Sequence, residues 1–450
     1  MSSLRIAVVG SGPAGMYAVG HLLGQGPEVV ESVTVLDRLP TPFGLVRAGV
    51  APDHQKTKKV AVGFGRLLND PRVRCYFNVE VGAGIRHNVT HEEVLDHHHA
   101  VVYAVGASGS RSLGMPGEDL PGSAAATEFV AWYNGHPDFS RMSFDLSSPR
   151  VVIVGSGNVA VDIARVLTMP IDTLRATDIA DHALHVLERS AVREVVLLAR
   201  RGPESAAFSS PELLALTQLR DIDIIVDADL DKVPTPQHYG DRLKLALLRE
   251  VAARPSREGR RRIVFRFLSS PAEIVGDTRV RGIRVRRNAL RRGRPVPTDR
   301  IDHFDTSLVL RSIGYRGRPI AGLPFDGDSG VIPNHAGRVE PGVYVTGWIK
   351  RGPTGVIGTN KHDSAETIES LLDDARSGRL SEPTGHFAGL VARRGVEAIG
   401  LQGWATIDAH ERGLGASALR PRVKITSTDR LLEVARGTPS LDPAANRVVD

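Results

Sequence analysis

A chain of 450 residues, 41% hydrophobic and 24% charged, has the length for two or three domains and the composition of an ordinary globular protein. Nothing in it approaches the apolar run that spans a membrane, and its single cysteine, Cys75, excludes an intrachain disulfide, a cysteine-rich metal centre and CxxC dithiol chemistry. The net charge of +6 and a pI of about 9.6 favour an acidic partner, whether nucleic acid, membrane surface or protein.

The chain enters "RIAVVG" almost at once, which predicts no signal or transit peptide and a cytoplasmic protein. "RIAVVG" reads as a short buried strand, Pro13–Leu23 as a helix and "SVTVLD" as a second strand. Between the first two lies "VVGSGPAG", with Gly10, Gly12 and Gly15 in G-x-G-x-x-G spacing. In such a turn the first glycine permits the bend, the second admits a pyrophosphate and the third lets helix and strand pack closely. The helix N-terminus adds free N–H groups and the positive end of its dipole. Asp37 ends the second strand 22 residues after Gly15, where a carboxylate accepts from ribose hydroxyls. "HAVVYAVGA" (99–107) is a further apolar strand. This strand–helix alternation predicts an α/β fold with a doubly wound parallel sheet.

"LGMPGEDLPG" (113–122) reads as a hinge-like connector, after which "RVVIVG" (150–155) restarts the pattern. Its turn, "IVGSGNVAVD", carries Gly155, Gly157 and Ala160, with alanine allowed for the third glycine. A helical excursion over about residues 168–190 delays the next strand, "EVVLLARR". Here the tip carries Arg200 and Arg201 instead of an acid. Two guanidiniums suit a 2′-phosphate through charge-assisted bidentate bonds, whereas a carboxylate repels it. The first site is therefore assigned to FAD and the second to NADP(H).

From Arg262 to Arg287 the apolar positions alternate, as in an antiparallel ribbon on a sheet edge. The arginine-dense stretch 254–300 has almost no interleaved aromatics, so base stacking has little to use and no nucleic acid is expected. "LVLRSIGYRG" (308–317) and "GVYVTGW" (342–348) are strands, and 362–378 and much of the tail are helical. The His97–His99 triplet precedes a buried strand and lacks further ligands, so no metal is expected.

"PFGLVRAGVAPDH" (42–54), "ARRGPESAAF" (199–208), "RSIGYRG" (311–317) and "GWIKRGPTGVIGTNK" (347–361) resemble the adrenodoxin-reductase-like ferredoxin–NADP reductases, in particular the bacterial, FprA-like members. The likeness extends to "RPRVKI" (420–425). It implies two Rossmann-like dinucleotide-binding domains, with an NADP domain (107–331) inserted into a discontinuous FAD domain (1–106 plus 332–450). Ala14, Asp37, Leu45, Val81, Trp348, Gly355, Val356 and Ile357 match the family's FAD contacts. Asn158, Val159, Arg200, Arg201 and Glu212 match its NADP contacts, with Gly355 shared. His54 matches a histidine beside the flavin, and Glu212 an acid at the nicotinamide end. A second acid often lies three residues on; here that position is Ala215, which removes any proton relay through it. "GPTGVIGT" reads independently as a turn opening a helix, whose dipole favours the negative charge of reduced flavin.

The implied activity is NADPH:ferredoxin oxidoreduction: hydride transfer from NADPH to flavin N5, then single electrons to an iron–sulfur ferredoxin. The implied partner is acidic, with no membrane and no nucleic acid, and the chain a monomer or weak dimer. Arg242, Lys244 and Arg249 are docking candidates. A flavin monooxygenase, another flavin reductase and a nucleotide-sensing protein without turnover remain as alternatives.

Overall fold

In a computed structural model, residues 3–82, 88–219 and 221–437 are described. The chain divides into two compact units, each an α/β Rossmann-like body. The first comprises Met1–Val50, His54–Gly109 and Gly314–Asp450; the second comprises Ala51–Asp53 and Ser110–Ile313.

The first unit is built on a six-stranded sheet. Its order is Arg338–Glu340, Val343–Val345, Ala100–Tyr103, Leu4–Val9, Val30–Asp37 and Val73–Phe77, parallel except for the antiparallel outer pair 338–340 and 343–345. Ile6, Val8, Val33, Val35 and Val102 face one core, and Ala7, Val9, Leu36, Val101 and Tyr103 face another. A sheet buried on both faces needs apolar residues at every position, which is why its strands read as unbroken apolar runs. Helices Pro13–Leu23 and Thr359–Arg376 pack together on one face.

The second unit repeats the plan with strands Ile222–Asp227, Arg261–Arg266, Glu194–Leu198, Arg150–Val154, Leu308–Arg311 and Ser123–Ala125, all parallel. The excursion after the second turn forms helices Ile171–Arg175 and Asp181–Glu188. One face of the sheet packs on helices. The other packs on an antiparallel three-stranded sheet, Ser269–Val275, Gly282–Arg291 and Arg294–Asp305, through Ile274, Val280, Ile283 and Val285.

That arrangement corrects the reading of 262–287 as one ribbon on a sheet edge. Arg261–Arg266 is a strand within the parallel sheet, and the ribbon that follows covers a face. Alternation misleads here because only Ile263 and Phe265 face the helices, while Arg266 turns toward Asp227 and Asp302. Arg287 pairs with the same two acids. Part of this arginine-dense stretch is thus neutralised within its own unit.

The 113–122 connector is pinned, not loose. Buried Glu118 accepts from the backbone N–H groups of Leu113 and Gly114, both at 2.7 Å, and pairs with Arg311 at 3.0 Å.

Candidate functional site

The first glycine turn behaves as its spacing requires. Gly10 has φ +101°, and a Cβ there would lie 2.6 Å from the Ala104 carbonyl oxygen. A Cβ on Gly15 would lie 1.9 Å from the Gly10 oxygen, so helix and strand touch through backbone. Gly12 differs: a Cβ there would meet nothing within 4 Å. Tight packing on either side of an open cradle is the shape that receives a pyrophosphate.

Chain segments far apart in sequence meet around this cradle within the first unit. Gly44, with φ +46°, backs onto Gly12, and Gly347, with φ +78°, backs onto buried Ala14. These contacts deliver Leu45 and Trp348 to the neighbourhood of the turn. Val79 donates to the Asp37 carbonyl at 2.9 Å, which leads the chain to half-buried Val81. Trp348 donates from Nε1 to the Thr354 carbonyl at 3.1 Å and packs 5.0 Å from Tyr315. Gly355, at φ +81°, turns the chain into Val356, Ile357 and helix Thr359–Arg376. Leu45 and Val356 remain 40% and 66% exposed, apolar surface that a bound cofactor would cover.

Asp37 stands at its expected strand tip but is not vacant. It accepts from the Ser11 N–H and hydroxyl at 3.0 and 2.5 Å and from the Leu39 N–H at 3.0 Å. Of the roughly four lone-pair sites of a carboxylate, one is left. The acid therefore braces the glycine turn, a role that sequence spacing does not reveal.

In the second unit, Gly155 has φ +127° and its Cβ would lie 2.1 Å from the Ser312 oxygen, while a Cβ on Gly157 meets nothing within 4 Å. Gly157 caps helix Asn158–Thr168, with Val159 half-buried and Ala160 fully buried. The Asn158 carboxamide accepts from the Ser209 N–H at 2.7 Å, tying the turn to helix Ser210–Thr217. Arg200 and Arg201 lie just past strand Glu194–Leu198, both exposed, and neither guanidinium engages another described side chain. They differ in this from Arg266 and Arg287 nearby. Two exposed guanidiniums without a carboxylate partner among the described residues keep their charge available to an anion.

Glu212 occupies the first turn of helix Ser210–Thr217, with Oε2 3.7 Å from Nη1 of Arg165. Arg165 does not stand out in the sequence. It is 2% exposed and binds Asp53 through Nε and Nη2 at 2.7 and 3.1 Å, and Asp162 through Nη2 at 2.8 Å. Burial opposes its charge, but Asp162, Asp53 and Glu212 together hold its pKa above the ordinary value. Removing one partner from such a buried cluster costs about 3–5 kcal/mol. The only sequence signal is an arginine three residues after an aspartate within the second turn's helix. His54 begins helix Gln55–Lys58 in the first unit and is half-buried.

Burial pushes the Asp162 carboxyl up to about 6, against the pull of Arg165. The folded chain thus holds this proton more tightly than the unfolded chain, whose aspartate titrates near 3.8. The resulting stability is complete below about pH 4 and is lost as pH rises through about 6. Wild-type stability relative to Asp162→Asn should therefore fall across that interval and then level off. Chemical denaturation at a series of pH values checks this; a difference that rises with pH contradicts it.

The remaining groups have local roles. The three histidines of the triplet each hold hydrogen bonds: His97 with the Glu93 carbonyl, His98 with Val94 and Thr34, and His99 with the Arg5 N–H. Burial raises the Cys75 thiol to about 12, which keeps it protonated and unreactive. Among the docking candidates on helix Tyr239–Ala252, Lys244 is taken up by the Ala206 carbonyl and Asp241, both at 2.8 Å, and Arg249 donates to the Leu230 carbonyl. Among the described residues no helix is long and apolar enough to cross a membrane.

Residues 4–202 match the family model of pyridine nucleotide-disulphide oxidoreductases. The chain is 45% identical to the NADPH-ferredoxin reductase FprA of Mycobacterium tuberculosis, over 97% of this chain and all of that one. It is 39% identical to the mitochondrial NADPH:adrenodoxin oxidoreductase of Salvelinus fontinalis, over 97% of this chain and 92% of that one. The solved structure of M. tuberculosis FprA in complex with NADPH superposes with a TM-score of 0.92 at 44% identity, covering 97% of this chain and all of that one. With two such turns in two such bodies and this identity over nearly its whole length, the chain belongs to the adrenodoxin-reductase-like ferredoxin–NADP reductases.

Proposed function

We propose that the protein is an FAD-containing oxidoreductase that takes electrons from NADPH and delivers them to an acidic iron–sulfur ferredoxin. The observation that carries this reading is the contrast between the two strand tips. The first ends in a carboxylate that braces an open cradle, and the second ends in two unengaged guanidiniums beside another. The names of the relatives support the same assignment.

The residues present fit both dinucleotides. Gly12 and the N-terminus of helix Pro13–Leu23 would receive the FAD pyrophosphate, Asp37 would face its ribose, and Leu45, Val81, Trp348 and Gly355–Ile357 would line it. Gly157, Asn158, Val159 and Ala160 would receive NADPH, with Arg200 and Arg201 on its 2′-phosphate and Glu212 toward the nicotinamide. When bound, FAD supplies the chemistry that turns one two-electron donation into two one-electron deliveries. The protein's own part is placement, since a reaction over a short distance between held partners gains most from orientation. Arg165 fixes Asp162 and faces Glu212, so the acids at this end of the second unit are held in one arrangement.

The lone, half-buried Cys75 leaves no dithiol, so the disulphide chemistry in the name of the matched family model is not assigned to this chain. The net positive charge supports an acidic partner. The protein acts as a monomer or weak dimer in the cytoplasm, with no nucleic acid or metal in its function.

Acid extraction of the purified yellow protein should release FAD, and NADPH should reduce ferricyanide far faster than NADH does. Release of FMN, or equal rates with the two nucleotides, would overturn the assignment of the sites.

A further inference from the structure

The backbone of the two arginines at the second strand tip is held by hydrogen bonds from a neighbouring segment. Three successive carbonyls there accept from the antiparallel ribbon. Ala199 accepts from the Ser269 N–H at 2.9 Å, and Arg201 from the Leu268 N–H at 3.1 Å. Arg200, between them, accepts from the side chain of Asn288 at 3.0 Å. Leu268 holds φ +51°, an unusual conformation for a leucine, and is itself fixed because its carbonyl accepts from the Asn288 N–H at 2.7 Å. Asn288 is 7% exposed and also donates from its amide to the Ser270 hydroxyl at 2.8 Å. It follows a register shift between Arg286 and Asn288, a bulge of the kind that re-aims a side chain out of its regular position.

We infer that Asn288 is a positioning residue for nucleotide choice: its carboxamide fixes the Arg200–Arg201 backbone so that both guanidiniums face one 2′-phosphate. The inference rests on the assignment of that arginine pair to the 2′-phosphate. Two long side chains on a mobile backbone would carry an ordering cost on binding, and a clamped backbone removes part of it. Asn288 is the side-chain member of the clamp, since the other two bonds are backbone to backbone. Replacing it leaves the backbone ladder in place and frees the middle carbonyl together with the Ser270 hydroxyl.

The test compares Asn288→Ala, the near-isosteric Asn288→Leu and a control Arg200→Gln/Arg201→Gln, all as flavin-loaded protein. Calorimetry measures the Kd of 2′,5′-ADP, which carries the 2′-phosphate, and of 5′-AMP, which lacks it. Both Asn288 variants should weaken 2′,5′-ADP about five- to tenfold and leave 5′-AMP within twofold, and the NADPH/NADH ratio of kcat/KM should fall in step. If the arginine control loses 2′,5′-ADP while the Asn288 variants keep it, Asn288 is not a positioning residue and the nucleotide assignment stands. If no variant loses it, the assignment of the arginine pair falls, and this inference with it. Equal weakening of both probes in the Asn288 variants would mean general loss of structure and would overturn the selective role.

Discussion

Replacing Arg200 and Arg201 together with glutamine should raise KM for NADPH about a hundredfold or more and leave KM for NADH nearly unchanged. A hydrogen bond to a charged group contributes about 1.5–3 kcal/mol. Removing two such bonds at once costs at least ~3 kcal/mol, and each 1.4 kcal/mol is about tenfold in affinity. Neither guanidinium engages another described side chain, so the double substitution leaves no buried acid uncompensated. The variant should therefore fold and bind flavin as the wild type does. Steady-state kinetics with both nucleotides checks the prediction. Equal effects on NADPH and NADH would move the pair away from the 2′-phosphate.

Valine at Gly12 and valine at Gly157 should separate the two nucleotides. Gly12 has φ −69° and ψ −178°, and Gly157 has φ −90° and ψ 179°, conformations that any residue adopts. Both have open space where a side chain would go. Each substitution is thus accepted by the polypeptide and fills only the place a pyrophosphate would take. Gly12→Val should purify with under about a tenth of the wild-type flavin, and its thermal stability should be compared with flavin-stripped wild type, because a bound ligand stabilises by mass action. Gly157→Val should keep its flavin and lose NADPH affinity by about two orders of magnitude. Absorbance of the purified proteins and titration with NADPH give both answers. A yellow Gly12→Val, or a colourless Gly157→Val, would reverse the assignment. Substitution at Gly10 or Gly15 would not serve, since backbone oxygens 2.6 and 1.9 Å from the new Cβ would distort the turn itself.

The elements of the site that can be read from the sequence are those made within one short segment. Both glycine turns and their helices, and the first strand tip, lie within short continuous stretches where spacing sets the geometry, whereas the second tip follows a two-helix excursion and is read from its own apolar run. The segment carrying Trp348 and Gly355–Ile357 is reached through resemblance, because no local rule places residue 347 against Ala14. The Arg165 cluster depends on a partner 112 residues away, and an aspartate in "APDH" gives no hint that an arginine will find it. Asn288 is hidden for the same reason: an asparagine in an exposed-looking ribbon becomes buried only because that ribbon covers a face of the parallel sheet. Alternation does not distinguish that from an edge, since both leave one side of each strand polar. Ser123–Ala125, too short and too small for a hydropathy signal, pairs as the sheet's last strand through backbone alone.

The most direct test is cytochrome c reduction driven by NADPH, with and without an acidic ferredoxin, at rising ionic strength. The Debye length falls from ~30 Å at ~0.01 M salt to ~8 Å at ~0.15 M, which weakens long-range attraction between a basic reductase and an acidic partner. With NADPH saturating, ferredoxin should raise the rate severalfold at low salt, and that gain should shrink over this range while ferricyanide reduction changes little. Full ferricyanide reduction by NADPH with no gain from any ferredoxin would contradict the assignment of an iron–sulfur protein as the electron acceptor.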